Sequence, residues 1–296
     1  MLAALPPPIV DVRPAIEIRT ASPVNEVAVD GGLAATLVGE TPSWEYVLVW
    51  SPTGIVVRTI LACDRQESDL VLAGDRFAHV CFEGTRNTIL TATFRRTRSV
   101  PQLHTPAFVV LAGHGSLIAG SAGRTLWRFD AAGKAKVHTY GASIVALDVD
   151  GGRILVGRSN TVLEIVSRFG KTLSRLTLPH VGGALLRGAH IAPIANHHFV
   201  LSDLHGKAVR KRPVVGDATL VDLEGNLVVY SLGIRLHLLR LGDGRDVTLR
   251  FKSQFGYASA KLSHGGFFYT YNVRGTRQPG RAGFVPAAAV RTLLRR

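Results

Sequence analysis

Short apolar runs recur along the chain, each broken by a small or polar turn. They are VAVDGGLAATLV from 27, LVLAGDRFAHVCF from 70, VVLAGHGSLIAG from 109, IVALDVDGGRILVG from 144, HIAPIANHHFVLS from 190, TLVDLEGNLVVYS from 219 and AKLSHGGFFYTYN from 260. That makes seven copies, of which the fifth matches least well. A second series of turns interleaves with them, at Gly54, Gly133, Gly170, Gly206 and Gly244, with gaps of 79, 37, 36 and 38 residues. The first gap is two periods long, which puts one diverged turn in FRRTRSV. The apolar stretches are rich in Val, Leu and Ile and alternate or stay apolar throughout, the pattern of strands rather than helices. Glycine supplies the positive φ that such tight turns need.

Each copy thus holds two strands joined by a turn, a loop, and two more strands joined by a glycine turn. A period near 40 with four strands is that of a β-propeller blade. One four-stranded sheet has two apolar faces that it cannot cover alone, and stacking in a closed ring covers them all. The expected fold is all-β, a single seven-bladed propeller of four-stranded antiparallel blades, with six or eight blades as the alternatives. Residues 1–14 are expected as an extended N-terminal segment and 15–296 as the propeller. The last copy supplies three strands at most, in AKLSHGGFFYTYN and GFVPAAAVRTLL. Its fourth is expected from the N-terminal segment, in PIVDVRP or AIEIRTA, which would latch the chain ends together. The alternative for AAAVRTLLRR is a short helix, which its Ala and Leu content allows.

On LWRFDAAGK and the repeated LAG-D/H-x-x-apolar openings, the chain resembles bacterial β-propeller proteins of the WD-repeat-like and pyrroloquinoline-quinone-type repeat kind. It resembles more closely a group of uncharacterised actinobacterial propeller proteins. In that group a stretch like VLVWSPTG…CDRQESDLVLAGDRFAHVCFEGTRNTILTAT recurs with both cysteines. The resemblance implies a fold and no mechanism. The Trp-Asp ending and Gly-His opening of WD repeats are missing, so no WD-protein partner is implied. The recurring pair implies a Cys63–Cys81 bridge, a loop closure that contributes about 3 kcal/mol. The residues alone leave two buried thiols as the alternative. A bridge points to an oxidising compartment and a leader removed before maturity; free thiols leave the protein cytoplasmic.

Composition narrows this little. The chain has 296 residues, 46% of them hydrophobic and 19% charged, which excludes a disordered protein. No apolar run approaches the roughly 20 residues that cross a bilayer. MLAALPPPIVDVRPA lacks a basic start and does not read as a leader. The net charge is +14, from 35 basic and 21 acidic residues. A basic surface favours anionic partners, while thinly spread arginines are also what a compositional bias leaves. The densest clusters are Arg95, Arg96 and Arg98, and Lys207, Arg210, Lys211 and Arg212.

The chemistry-bearing candidates are few. Asp148 and Asp222 sit in the first strands of two copies, which line the channel of a propeller, and are candidate ligand-binding residues. Arg95, Arg96 and Arg98, beside Phe94, replace an expected turn and are the other candidates, since departures from a local rule tend to be functional or strained. His180, His190, His197, His198 and His205 match no zinc spacing, and adjacent His197 and His198 face opposite ways on a strand, so no metal is expected. Gly120–Gly123, GSAG, lacks the strand-to-helix setting of a nucleophile or phosphate loop and reads as a turn. No cofactor and no catalytic residue is expected. The reading is a monomeric, non-enzymatic scaffold for a protein or an anionic ligand. The alternatives are a hydrolase or lyase acting on carbohydrate through funnel carboxylates, and, less favoured, a nucleic-acid-associated module.

Overall fold

The computed structural model describes residues 6–40, 43–60, 66–94, 100–158, 162–177, 183–195, 197–214, 218–275 and 278–295. Two N-terminal strands, β1 (Ile9–Asp11) and β2 (Ile16–Arg19), come first. Blade 1 holds β3 (Ala28–Asp30), β4 (Leu33–Glu40), β5 (Ser43–Ser51) and β6 (Gly54–Ile60). Blade 2 holds β7 (Gln66–Ala73), β8 (Arg76–Glu83), β9 (Arg86–Thr93) and β10 (Val100–Thr105). Blade 3 holds β11 (Leu111–His114), β12 (Leu117–Ala122), β13 (Thr125–Asp130) and β14 (Gly133–Thr139). Blade 4 holds β15 (Ile144–Asp150), β16 (Arg153–Arg158), β17 (Val162–Ser167) and β18 (Thr172–Thr177). Blade 5 holds β19 (Ala184–Arg187), β20 (His190–Ala195), β21 (His198–Asp203) and β22 (Ala208–Pro213). Blade 6 holds β23 (Thr219–Glu224), β24 (Leu227–Leu232), β25 (Arg235–Arg240) and β26 (Asp246–Arg250). Blade 7 holds β27 (Gln254–Ser263), β28 (Gly266–Val273) and β29 (Gly280–Val285), and helix α1 (Ala287–Leu293) follows.

The seven sheets form a ring, as the repeat implies: each blade's first strand packs against the first strands of its neighbours, and β27 meets β3 to close it. The middle strands of a blade are covered on both faces, which is why they read as continuous apolar runs. Ile154, Leu155 and Val156 of β16 are all buried in succession. Outer strands keep the alternation of a half-buried edge, as in β14.

Closure is a shared sheet. β2 pairs antiparallel with β29 as the outermost strand of blade 7, so AIEIRTA supplies the missing strand. Across this junction Trp50 of blade 1 meets Phe268 of blade 7 edge-on at 6.2 Å, within a buried cluster that includes Ile18, Leu48 and Ala282. Each large apolar side chain fully buried there contributes about 1.5–3 kcal/mol. PIVDVRP does something else: β1 adds a fifth strand to blade 6, parallel to β26. The C-terminal stretch divides. Pro286 ends β29 and caps α1, whose Val290 and Leu293 are buried, so the helical alternative for this segment is the observed one.

The turn glycines behave as the spacing requires. Gly170 has φ +88°, and a Cβ there would lie 2.6 Å from the Val137 carbonyl of the preceding blade. Only glycine meets both demands at once.

Candidate functional site: the hub and its upper face

All seven first strands start on one face of the ring, here the upper face, and end in turns on the lower face. Between them runs a channel cavity of about 260 Å³ lined from every blade, by Val27, Leu70, Val110, Leu147, Leu185, Asp222 and Lys261 among others.

Asp148 and Asp222 do line this channel, and Arg187 lies between them. Its guanidinium donates to Asp148 Oδ2 at 2.6 Å and to Asp222 Oδ1 at 2.7 Å, and its Nε donates to the Leu223 carbonyl at 3.0 Å. The carboxylates also take backbone donors from the next blade. Leu186 N–H donates to Asp148 at 2.7 Å and Leu262 N–H to Asp222 at 2.8 Å. Lys261 Nζ donates to the Val221 carbonyl at 2.6 Å. One network thus ties blades 4, 5, 6 and 7 at the axis. Burial raises the Asp148 carboxyl above its usual value, against the pull of Arg187. Burial also works against the Arg187 charge, but the two aspartates outweigh it and hold its pKa above the ordinary guanidinium value.

A second set of bonds lies one turn lower. Asp150 accepts from Gly188 N–H at 2.6 Å, and Glu224 accepts from His264 and Gly265 N–H at 2.8 and 2.9 Å. Asp30 accepts from Gly74 N–H at 2.6 Å and Gly115 N–H at 2.9 Å. His114 bridges Asp30 at 3.0 Å and Asp150 at 3.5 Å. Burial pushes the Asp30 carboxyl up, but His114 and the two backbone donors bring it below its usual value, while the bond to Asp30 raises His114. Sequence reasoning found the two aspartates and missed Arg187 and His114. The signal was available: aligned on the turn, five of the seven first strands end in a titratable residue, Asp30, His114, Asp150, Arg187 and Glu224, with opposite charges one or two blades apart.

The upper face has different chemistry. A pocket of about 580 Å³ opens between blades 6 and 7 and the segment entering blade 1, lined by Leu220, Phe255, Tyr257, Tyr271, Asn272 and Glu26 among others. Tyr257 is 74% exposed and Phe255 42%. A bulge in β27 between Phe255 and Ala258, with Gly256 at φ +72°, places this stretch at the rim. Gln254 Nε2 donates to the Ile234 carbonyl at 3.1 Å, which sets exposed Ile234 beside it. At the channel mouth another bulge, in β7 between Ser68 and Val71, carries Asp69 at φ 50°. A left-handed non-glycine residue is uncommon and strained. Desolvation and the nearby Glu26 charge raise the Asp69 carboxyl above its ordinary value.

No family model matches this sequence, and no curated protein matches it. The fold has many solved counterparts. The WD40 β-propeller domain of Doa1 superposes with a TM-score of 0.64 at 12% identity, covering 94% of this chain and 97% of that one. The β-propeller domain of Cps50 (Swd1) from Myceliophteria thermophila gives 0.64 at 13%, covering 92% and 100%. Hsv2 of Kluyvelomyces marxianus gives 0.59 at 13%, covering 85% and 89%. The chain has a WD40-like seven-bladed propeller fold. At these identities the likeness concerns the fold alone.

Arg95, Arg96, Arg98, Cys63 and His180 lie outside the described residues. Cys81 is buried on β8 and is not a free thiol. His190, His197, His198 and His205 lie along blade 5, and among the described residues no group of three or more His, Cys, Asp or Glu is placed to hold a metal. In GSAG, Ser121 is buried on β12 and accepts from Val110 N–H at 3.0 Å, so its hydroxyl serves the strand. Among the described residues no helix is long and apolar enough to cross a membrane.

Proposed function

We propose that the protein is a non-enzymatic scaffold that docks a partner protein on its upper face. The observation that carries the reading is Tyr257, 74% exposed beside Phe255 at the rim of the 580 Å³ pocket, held by a bulge on a rigid inner strand. Exposed aromatics in a concave setting are the usual anchors of protein interfaces, and a rigid aromatic loses little entropy on binding. The strained Asp69 and Glu26 at the neighbouring channel mouth add acceptors for a basic or amide-bearing group of that partner. The WD40 counterparts Doa1 and Cps50 lend support at the level of architecture.

The carbohydrate-acting alternative is weaker on the geometry. A general acid or base needs a carboxyl facing the ligand, and Asp148 and Asp222 are committed to Arg187 and to backbone donors of the adjacent blades. The reading retains a single propeller unit over 15–296, and a Cys63–Cys81 bridge. Intact mass without reductant checks the bridge: a protein two hydrogen atoms lighter than the dithiol supports it, and two alkylatable thiols remove it.

The test is capture from the source organism's lysate with the wild-type chain and with Tyr257→Ala and Phe255→Ala. A partner held by the wild type and lost by both variants supports the reading. A partner retained by both overturns the assignment of the upper face.

A further inference from the structure

One edge of the ring already shows how it receives a strand. On blade 6 the outer strand β26 is covered by β1, which pairs parallel with it in the register Ile9↔Thr248, Val10↔Leu249, Asp11↔Arg250. The added strand brings an acid to a base: Arg250 holds Asp11 through two bonds of 2.5 and 2.9 Å. Val10 is buried by the addition.

The outer strand of the preceding blade, β22, has the same position. Among the described residues no strand pairs with its outer edge. Its sequence, AVRKRP, contains three bases and no acid. Val209 is 58% exposed, and Arg210 and Lys211 are exposed too. Among the described residues Arg210 donates to Asn226, a neutral partner, at 3.2 Å. Arg212 is turned away to the carbonyls of Leu241 and Gly242 on blade 6. The nearest turn acid, Asp203, is occupied by the N–H groups of His205 and Lys207 in its own turn. The two preceding outer strands, β14 (GKAKVHT) and β18 (TLSRLT), also lack acids, so the field along this arc of the rim is cationic.

From this geometry we infer a second docking site: the β22 edge takes an extended acidic segment of a partner protein as a fifth strand of blade 5. Main-chain hydrogen bonds supply affinity in such strand addition, and alternate side chains supply selectivity. The incoming strand would set an apolar residue against Val209 and carboxylates against Arg210 and Lys211, as Val10 and Asp11 do on blade 6. Edge lysines and arginines also prevent like edges from pairing. The two roles are compatible, because the charges that repel a copy of this edge attract an acidic strand. A convex rim suits a short strand on one blade better than a stiff polyanion laid across several.

The site is separate from the upper face and stands independently of that reading. The test uses a fluorescent eight-residue peptide of repeating Val-Asp-Asp, with the intact chain at low salt, read by anisotropy and by amide hydrogen exchange. Binding with new protection at Val209 and Lys211 is expected. The double variant Arg210→Glu, Lys211→Glu should lose about tenfold in affinity, since two exposed attractive pairs become repulsive. Val209→Pro should weaken binding with the charge unchanged, since proline cannot pair along an edge. Tyr257→Ala should leave it untouched, so this site and the upper face fail separately. The inference is overturned by no binding, by binding indifferent to these variants, or by a heparin or single-stranded DNA complex that competes without protecting β22 amides.

Discussion

Replacing Arg187 by methionine removes the hub's central cation while keeping most of its length. Two bonds to carboxylates, at 2.6 and 2.7 Å, go at once, with the bond to the Leu223 carbonyl. Asp148 and Asp222 then face one cavity with 13% and 7% of their side chains exposed and no guanidinium between them. Breaking a buried pair from one side costs about 3–5 kcal/mol, because the remaining charge is left uncompensated. Arg187 itself is 30% exposed, which argues for the lower end, about 3 kcal/mol. At about 2 °C per kcal/mol for a domain of this size, the midpoint should fall by about 6 °C. Urea unfolding is the assay, since a lower midpoint at constant slope isolates a stability change. The loss should also depend on pH. Without Arg187, burial raises the Asp148 carboxyl unopposed by that cation, so the folded state holds more protons than the unfolded one just above pH 3.8, and the deficit shrinks as pH falls toward that value. The triple variant Asp148→Asn, Arg187→Met, Asp222→Asn keeps acceptors for Leu186 and Leu262 N–H and removes the cation with both of its carboxylates, leaving Lys261 on the Val221 carbonyl. It should return to within about 1 kcal/mol of wild type, as neutral replacements of buried ion networks commonly do. A single variant costing less than about 1 kcal/mol, or a triple variant no better than the single, would refute a structural role for this network.

Three further outcomes follow from the fold. His114, raised by Asp30, contributes stability that is complete below its unfolded value of 6.5 and is lost as pH rises through its folded value. Asp30, held low, contributes above 3.8 and is lost as pH falls through its folded value; stability against pH should therefore lose its alkaline-side slope in His114→Ala, with Asp150 and Arg187 still facing the site. Ile18→Ala on the latch strand β2, measured by urea unfolding, should cost about 2–4 kcal/mol, and a value near zero would mean the latch does not hold the ring. Gly170→Ala should lose more than the roughly 1 kcal/mol of a left-handed alanine, because its Cβ also meets the Val137 carbonyl, and an unchanged thermal midpoint would contradict the geometry of that turn.

The blades were legible because each repeats two signals, a buried apolar pair and a glycine at positive φ. The shared sheet of the termini was legible from need, since GFFYTYN and GFV leave blade 7 one strand short. β1 was not. Three residues that add to a finished blade repeat nothing, and only Asp11 opposite Arg250 marks the place. The helix was legible only as an alternative, because Pro286 ends a strand and begins a helix with equal ease. At the hub, Asp148 and Asp222 stood out as acids in apolar strands, but their partner sits at a position where other blades carry Asp150 or Glu224, and only the alignment of copies exposes that exchange of sign. The upper-face aromatics escaped because FGY interrupts the period of β27, and a bulge reads in sequence as a weak strand.

The assignment of the upper face is open to one direct measurement. A photo-reactive phenylalanine analogue is placed at 257 on the upper face or at 169, the 75% exposed Phe169 of the lower face, and cross-linked in source lysate. The account predicts one discrete protein adduct from position 257 and none of the same mass from 169. That adduct forming from 169 alone, or equally from both, would contradict it.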